Sequence, residues 1–216
     1  MSTKDRLLEV AIRMFASSGY EKTTIADICS EAEANIAAVN YHFGSKEHLY
    51  IEVWKAAFAD AIARHPADGG VPADAPVEDC FRGRIRAVIS RITDPTCLEV
   101  DIMAKEISDQ TGILHETVHR AIGPFRQAMI ATIAELLDCA PTEELVHLCA
   151  MSVMSQSMHL MIMRTRPMSH PPPDDMPQPP PAQLADHIVE FSLAALRSLR
   201  RKRKAESTVE HHHASN

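Results

Sequence analysis

Glycine is scarce in this chain, seven residues in 216, and the scarcity excludes several chemistries. Backbone loops that cradle phosphate need clustered glycines, and no P-loop or GxGxxG occurs. GxSxG elbows are missing too, and the one HExxH match, His115-Glu116-Thr117-Val118-His119, has no third metal ligand at recognisable spacing, so the common hydrolase and metalloprotease classes are unsupported, and neither an enzyme nor a bound cofactor is expected. Strand-like alternation never persists beyond a few residues, which leaves an all-α chain as the expectation. The five cysteines (Cys29, Cys80, Cys97, Cys139, Cys149) are odd in number, widely spaced and without a CxxC pair. They read as reduced thiols rather than as a disulfide framework, and no metal site is expected from them. Cationic excess is lacking as well: the formal net charge is -7, which excludes a general nucleic-acid coat. Asp5 and Glu9 interrupt the apolar core a signal peptide would need, and no later run looks long enough to span a bilayer. A cytoplasmic location without membrane contact is the expectation.

What the chain does have is helical periodicity with well-formed punctuation. Leu7, Leu8, Ala11, Ile12, Phe15 and Ala16 recur at helical spacing, with Gly19 placed to end that helix. Thr24 is a good N-cap for a helix over residues 25–32, on which Ile25, Ile28 and Cys29 share a face. A three-residue break, Glu33-Ala34-Asn35, lets Asn35 cap a second short helix, and Ser45 opens a third with Glu47 and His48 behind it. Two short capped helices around a three-residue turn form a helix-turn-helix.

Reach and chemistry divide the work such a module would do on DNA. Thr24, Tyr41, His42 and Lys46 can donate to phosphates and fix register, while Asn35, Ile36, Ala37, Ala38 and Asn40 face the groove. Ala37 and Ala38 offer only methyl contact, so base reading leans on Asn40, whose amide can pair bidentately with adenine. Phe43 falls on the inward side. Residues 1–50 hold Lys4, Arg6, Arg13, Lys22 and Lys46 against Asp5, Glu9, Glu21, Asp27, Glu31, Glu33 and Glu47, so the segment is not basic on average.

With Thr23-Thr24-Ile25-Ala26, Tyr41-His42-Phe43 and Ser45-Lys46-Glu47 at these spacings, residues 7–54 resemble the TetR family of bacterial one-component repressors. Ala104-Lys105-Glu106-Ile107 and Ile122-Gly123-Pro124-Phe125 are similar to the ligand domain of its CecR branch. The resemblance implies an N-terminal three-helix DNA-binding domain at residues 1–48 and a helical ligand-binding and dimerisation domain at residues 49–204. Residues 205–216 are expected to form a disordered tail. The implied partners are a double-stranded operator, a small-molecule effector that releases it, and a second copy of the chain. Two departures stand out. Glu33 replaces the glycine usual in the turn, where a left-handed conformation costs a non-glycine residue about 1 kcal/mol, and Asn40 replaces the family's tyrosine.

Beyond the reader, helices are expected at residues 45–65, 77–92, 98–109, 113–137, 142–164 and 182–201. Gly123-Pro124 should kink or split the fourth of these, and the proline-rich stretch 167–181 is expected to be an extended loop. The helix carrying Met151, Met154, Met158, Met161 and Met163 is apolar nearly all round and has to be buried on several sides, by its own core and by a second subunit. Met103, Glu106, His119, Met154 and His159 are the candidate lining of an apolar effector pocket with few polar groups. His115 and His119, with Glu116 between them, lack a third ligand at metal spacing. The competing reading, supported by Glu33 and the acidic balance, is a helical ligand-binding or scaffolding dimer without DNA-binding activity.

Overall fold

A computed structural model describes residues 2–164 and 179–214, with side chains described as far as Glu206, and all regular structure among them is helical. In chain order the helices are α1 (Thr3–Lys22), α2 (Ile25–Glu31), α3 (Ile36–Phe43), α4 (Lys46–Arg64), α5 (Val77–Thr93), α6 (Leu98–Asp109), α7 (His115–Leu137), α8 (Glu144–Arg164) and α9 (Pro181–Ala214). The expected extended loop at residues 167–181 falls almost wholly outside the described residues.

Packing divides the chain into two compact units. The first takes Met1–His65, Arg91–Gly123 and the end of α8 from Met161. Its core joins Leu7, Ala11 and Phe15 of α1, Ile28 of α2, Val39 and Phe43 of α3, Leu49, Tyr50, Val53 and Trp54 of α4, Ile102 of α6, and Leu114. An expected boundary at residue 48 therefore cuts through a continuous core. The physical reason is that α4 carries a buried apolar stripe along its length (Leu49, Tyr50, Val53, Trp54, Ala57, Ala61) and packs against both α1 and α6. Tyr50 centres this core, edge-on to Phe15 at 4.8 Å, and its hydroxyl donates to Glu106 at 3.3 Å. Burial, with the Glu106 charge beside it, pushes the Tyr50 hydroxyl pKa far up. Buried Glu99 faces Arg91 at 3.5 Å, and burial pushes its carboxyl up to about 7. Arg164 donates to the carbonyls of Ile92, Asp94 and Cys97 and pairs with both oxygens of Asp101, so the end of α8 closes over the α5–α6 connection.

The second unit takes Pro66–Ser90, Pro124–Leu160 and α9. Phe81, Ile85 and Ile89 of α5 pack with Met129, Ile133 and Leu137 of α7, Val146 and Val153 of α8, and Ile188, Val189, Leu193 and Leu196 of α9. Ion pairs Arg86–Asp186, Arg197–Glu78 and Arg203–Glu143 fasten α9 along its length.

Four local expectations are revised. Gly19 does break α1, with φ 79° and ψ 176°, but one further turn carries it to Lys22. Pro124 sits inside α7 without splitting it, and the two units divide at Gly123 and Pro124. α9 continues to Ala214 where a disordered tail was expected, because Lys202-Arg203-Lys204-Ala205-Glu206 are good helix formers and Lys202 lies 3.9 Å from Glu206 at i,i+4. Finally, α8 is long and apolar enough, by length and composition alone, to cross a membrane. One face carries Val146, Cys149, Ala150 and Val153 into the core, whereas Leu148, Met151, Met154 and Met158 lie 40–66% exposed on the other.

Candidate nucleic-acid interface

The reader is built from caps. Thr24 accepts from the Asp27 amide at 3.1 Å, Asn35 from the Ala38 amide at 2.8 Å, and Ser45 from the His48 amide at 3.1 Å, so α2, α3 and α4 each begin on a satisfied N-terminus. Gly44 ends α3 at φ 78°, a conformation open to glycine. Between α2 and α3 the chain reverses through Glu33 at φ 49°, the left-handed geometry expected of that position. The Ala34 amide donates to Cys29 at 2.9 Å to close the turn.

These constraints fix which side of α3 is displayed. Val39 and Phe43, one turn apart, are buried, Ala37 and Tyr41 turn away from them, and Ile36 and Asn40 stand exposed at the edge of the buried face. Ile36 is 53% and Tyr41 85% exposed, large for apolar and aromatic residues. Ala38 is half-buried against the core, which reduces the methyl surface it offers. The side-chain carbonyl of Asn35 is spent on its cap, so only its amide nitrogen is free to reach outward. His42 is half-buried and lies edge-on to Tyr41 at 5.0 Å. Lys46 rests its ammonium 4.0 Å above the Tyr20 ring, a cation–π contact it has to leave to meet a phosphate. Thr24 also donates to the Asp27 carboxylate at 2.6 Å, a bond its hydroxyl has to leave to donate to a phosphate.

Two features of this surface escaped the sequence reading. Arg6 on α1 donates to the Ala32 carbonyl at 3.3 Å, joining α1 to the turn, and Arg13 pairs with Glu31 at 3.0 Å, which offsets one of the acidic groups. Nothing in local sequence signals either contact, since both span long separations. The Ser2 cap of α1 also went unread although its signal is local: Ser2-x-x-Asp5 forms a full capping box, and the Ser2 amide and hydroxyl hold the Asp5 carboxyl below its ordinary range.

The candidate effector residues are distributed differently. Met103 packs on the first core, and Glu106 is buried there, accepting from Tyr50 and, at 2.7 Å, from Thr111. His119, on α7 in the same unit, is exposed. Met154 and His159 belong to the second unit, and both are exposed on α8. For Met154 this revises a pocket-lining assignment, because it lies in the outward methionine stripe. The second unit has a cavity of about 630 Å³ elsewhere, under residues 68–77, between α5 and α7. Cys80, Arg84, Thr132 and Glu135 line it, and Arg84 donates to the Thr132 hydroxyl at 3.2 Å.

A helix-turn-helix with an exposed second helix, set on an all-helical body, defines a DNA-reading regulator class. Residues 7–53 match the N-terminal domain of bacterial regulatory proteins of the TetR family, and residues 77–196 match the C-terminal domain of the HTH-type transcriptional dual regulator CecR. The chain belongs to the TetR family of transcriptional regulators, in its CecR-like branch. It is 31% identical over 127 residues to the regulator TcmR of Streptomyces glaucescens, covering 55% of this chain and 54% of TcmR. To CecR of Shigella flexneri it is 28% identical over 146 residues, covering 63% of this chain and 65% of CecR. The matched stretches thus span about half to two thirds of these two curated relatives. Among solved structures the fold is shared with AibR in complex with isovaleryl coenzyme A and operator DNA, at a TM-score of 0.65, 19% identity, and coverage of 88% of this chain and 97% of that one.

Proposed function

We propose that the protein is a homodimeric, operator-binding repressor that a small molecule releases from DNA. The observation that carries this reading is the outward face of α3, where Ile36, Ala37, Asn40 and Tyr41 stand exposed on a helix fixed by caps at both ends. A core hairpin would bury that face. The methionine stripe of α8 and Phe191 of α9, 63% exposed, supply a self-complementary apolar surface for a two-fold partner. A dimer so formed presents two copies of α3 to successive major grooves, which requires a separation of about 34–36 Å. The effector occupies the cavity beneath residues 68–77, large enough for a small molecule and lined by apolar groups together with Arg84, Thr132 and Glu135. Release follows if the effector favours the conformation whose α3 spacing does not match DNA. AibR illustrates that one protein of this fold holds an acyl-coenzyme A and an operator together.

Binding to the DNA upstream of the protein's own gene, followed by anisotropy, tests the reading. Lys46→Ala should weaken binding to every sequence and lower the salt slope by about one, as Lys46 leaves Tyr20 to neutralise a phosphate. Asn40→Ala should cost about 1–3 kcal/mol at particular base pairs only. Equal loss on specific and random DNA for Asn40→Ala removes its role as a reader. No binding to any duplex by the intact dimer favours the scaffolding reading, to which exposed Glu33 already lends support.

A further inference from the structure

Where α4 ends and α6 begins, three side chains of different chemistry converge. His65 is the C-cap of α4, Asp94 lies in the α5–α6 connection, and Cys97 is the N-cap of α6. The nitrogen, carboxylate oxygen and sulfur they offer all lie within 4.8 Å of one another. We infer that this cluster is a binding site for a divalent transition metal of the zinc class, with a fourth position open to water.

The donor set argues for that class. A thiolate, an imidazole and one carboxylate match the mixed nitrogen and sulfur preference of Zn²⁺ and Co²⁺, while Ca²⁺ and Mg²⁺ demand oxygen throughout. Around tetrahedral Zn²⁺, with bonds of about 2.0–2.3 Å, neighbouring ligand atoms stand roughly 3.3–3.8 Å apart, so the sulfur has to approach by at most about 1.5 Å while His65 Nε2 and Asp94 Oδ2, now 2.8 Å apart, open by about 0.5 Å. That adjustment falls on two helix ends and a connection rather than on helix interiors. Cys97 is suited to it, because it makes no side-chain capping bond for α6 and its sulfur is not needed by the helix.

The existing hydrogen bonds leave the necessary atoms available. Thr96 donates its amide and hydroxyl to Asp94 Oδ1, at 2.8 and 2.6 Å, and so orients the carboxylate with Oδ2 toward His65 Nε2 at 2.8 Å. An ion entering between Nε2 and Oδ2 replaces that one bond. Arg64 Nη1, 3.3 Å from Oδ2, is the competing cation, yet its guanidinium keeps Asp60 and the Thr96 hydroxyl and carbonyl as partners if it yields. The charges balance: Cys97 releases its proton to solvent, and thiolate plus carboxylate neutralise the ion. Cys97 is fully buried, whereas the His65 and Asp94 side chains are each 23% exposed, which gives the ion an entry path and the fourth ligand its place. The bound metal ties the last turn of α4 to the first turn of α6.

Co²⁺ titration of the metal-free full-length protein tests this site, read by the near-ultraviolet thiolate-to-cobalt charge-transfer band and the visible bands of tetrahedral cobalt. One equivalent should bind with the thiolate band present. His211, His212 and His213 are a rival metal-binding tract, and replacing all three with Ala should leave the band intact. Cys97→Ser should abolish it, and His65→Ala and Asp94→Asn should each weaken cobalt binding by about tenfold or more while their metal-free thermal melts stay close to wild type. A thiolate band that survives Cys97→Ser overturns the assignment, as does cobalt binding that disappears only with the histidine-tract variant, or the lack of any thiolate band.

Discussion

Glu33 holds a left-handed backbone at φ 49° in the turn between α2 and α3. A side chain there costs about 1 kcal/mol relative to glycine and sets a carboxylate where DNA phosphates would pass. Glu33→Gly should therefore raise stability by about 1 kcal/mol, a melting shift of about 2–4 °C for a chain of this size. The same variant should tighten DNA binding on all sequences alike. An unchanged melting temperature would show that the turn carries no strain, and an unchanged affinity that the carboxylate lies away from the phosphates. Asn35 sets an opposite expectation, since its side chain caps α3 through the Ala38 amide. Asn35→Ala should lose about 1 kcal/mol in a thermal melt, because the first turn of α3 then exposes an unpaired donor.

The sequence revealed most elements because their boundaries are written in local chemistry. Thr24, Asn35 and Ser45 are caps whose partners lie three residues away, so α2, α3 and α4 could be placed from short words of sequence. The reading was poorer wherever the deciding contact is distant. Glu106 looked like a pocket group, and its burial by Tyr50, 56 positions away in the chain, could not be inferred from spacing. Arg6 on the Ala32 carbonyl and the His65, Asp94 and Cys97 cluster were invisible for the same reason. Pro124 taught a different lesson: a proline ring deletes one backbone bond and crowds the preceding turn, yet α7 absorbs both. Pro124→Ala restores a donor toward the Arg120 carbonyl, and denaturant unfolding should show a gain of about 1–3 kcal/mol; a loss would mean that α7 depends on the deformation. For α8, the exposed stripe of Leu148, Met151, Met154 and Met158 sets the test. Met158→Asp and Phe191→Asp each place a charge where the proposed dimer is dry, and sedimentation should find monomer. A dimer unchanged by both substitutions would move the interface off α8 and α9.

For the molecule as a whole, a dimer of this kind makes stability a function of concentration, because association favours the folded chain. Melting temperature should rise with protein concentration in the wild type and become flat in the Met158→Asp variant; a flat wild-type response would argue for a monomer. The shared core of the first unit also bears on how such regulators can be recombined. Leu49, Tyr50, Val53 and Trp54 of α4, Ile102 of α6 and Leu114 close over α1 and α3, so a reader cut at residue 48 would leave an open apolar wound. A graft that moves this DNA specificity onto another sensor would have to carry α4 and α6 with it, although α6 is encoded some fifty codons downstream of the reader. Inheritance of operator choice in this protein is thus tied to a segment that never approaches the reader in the gene.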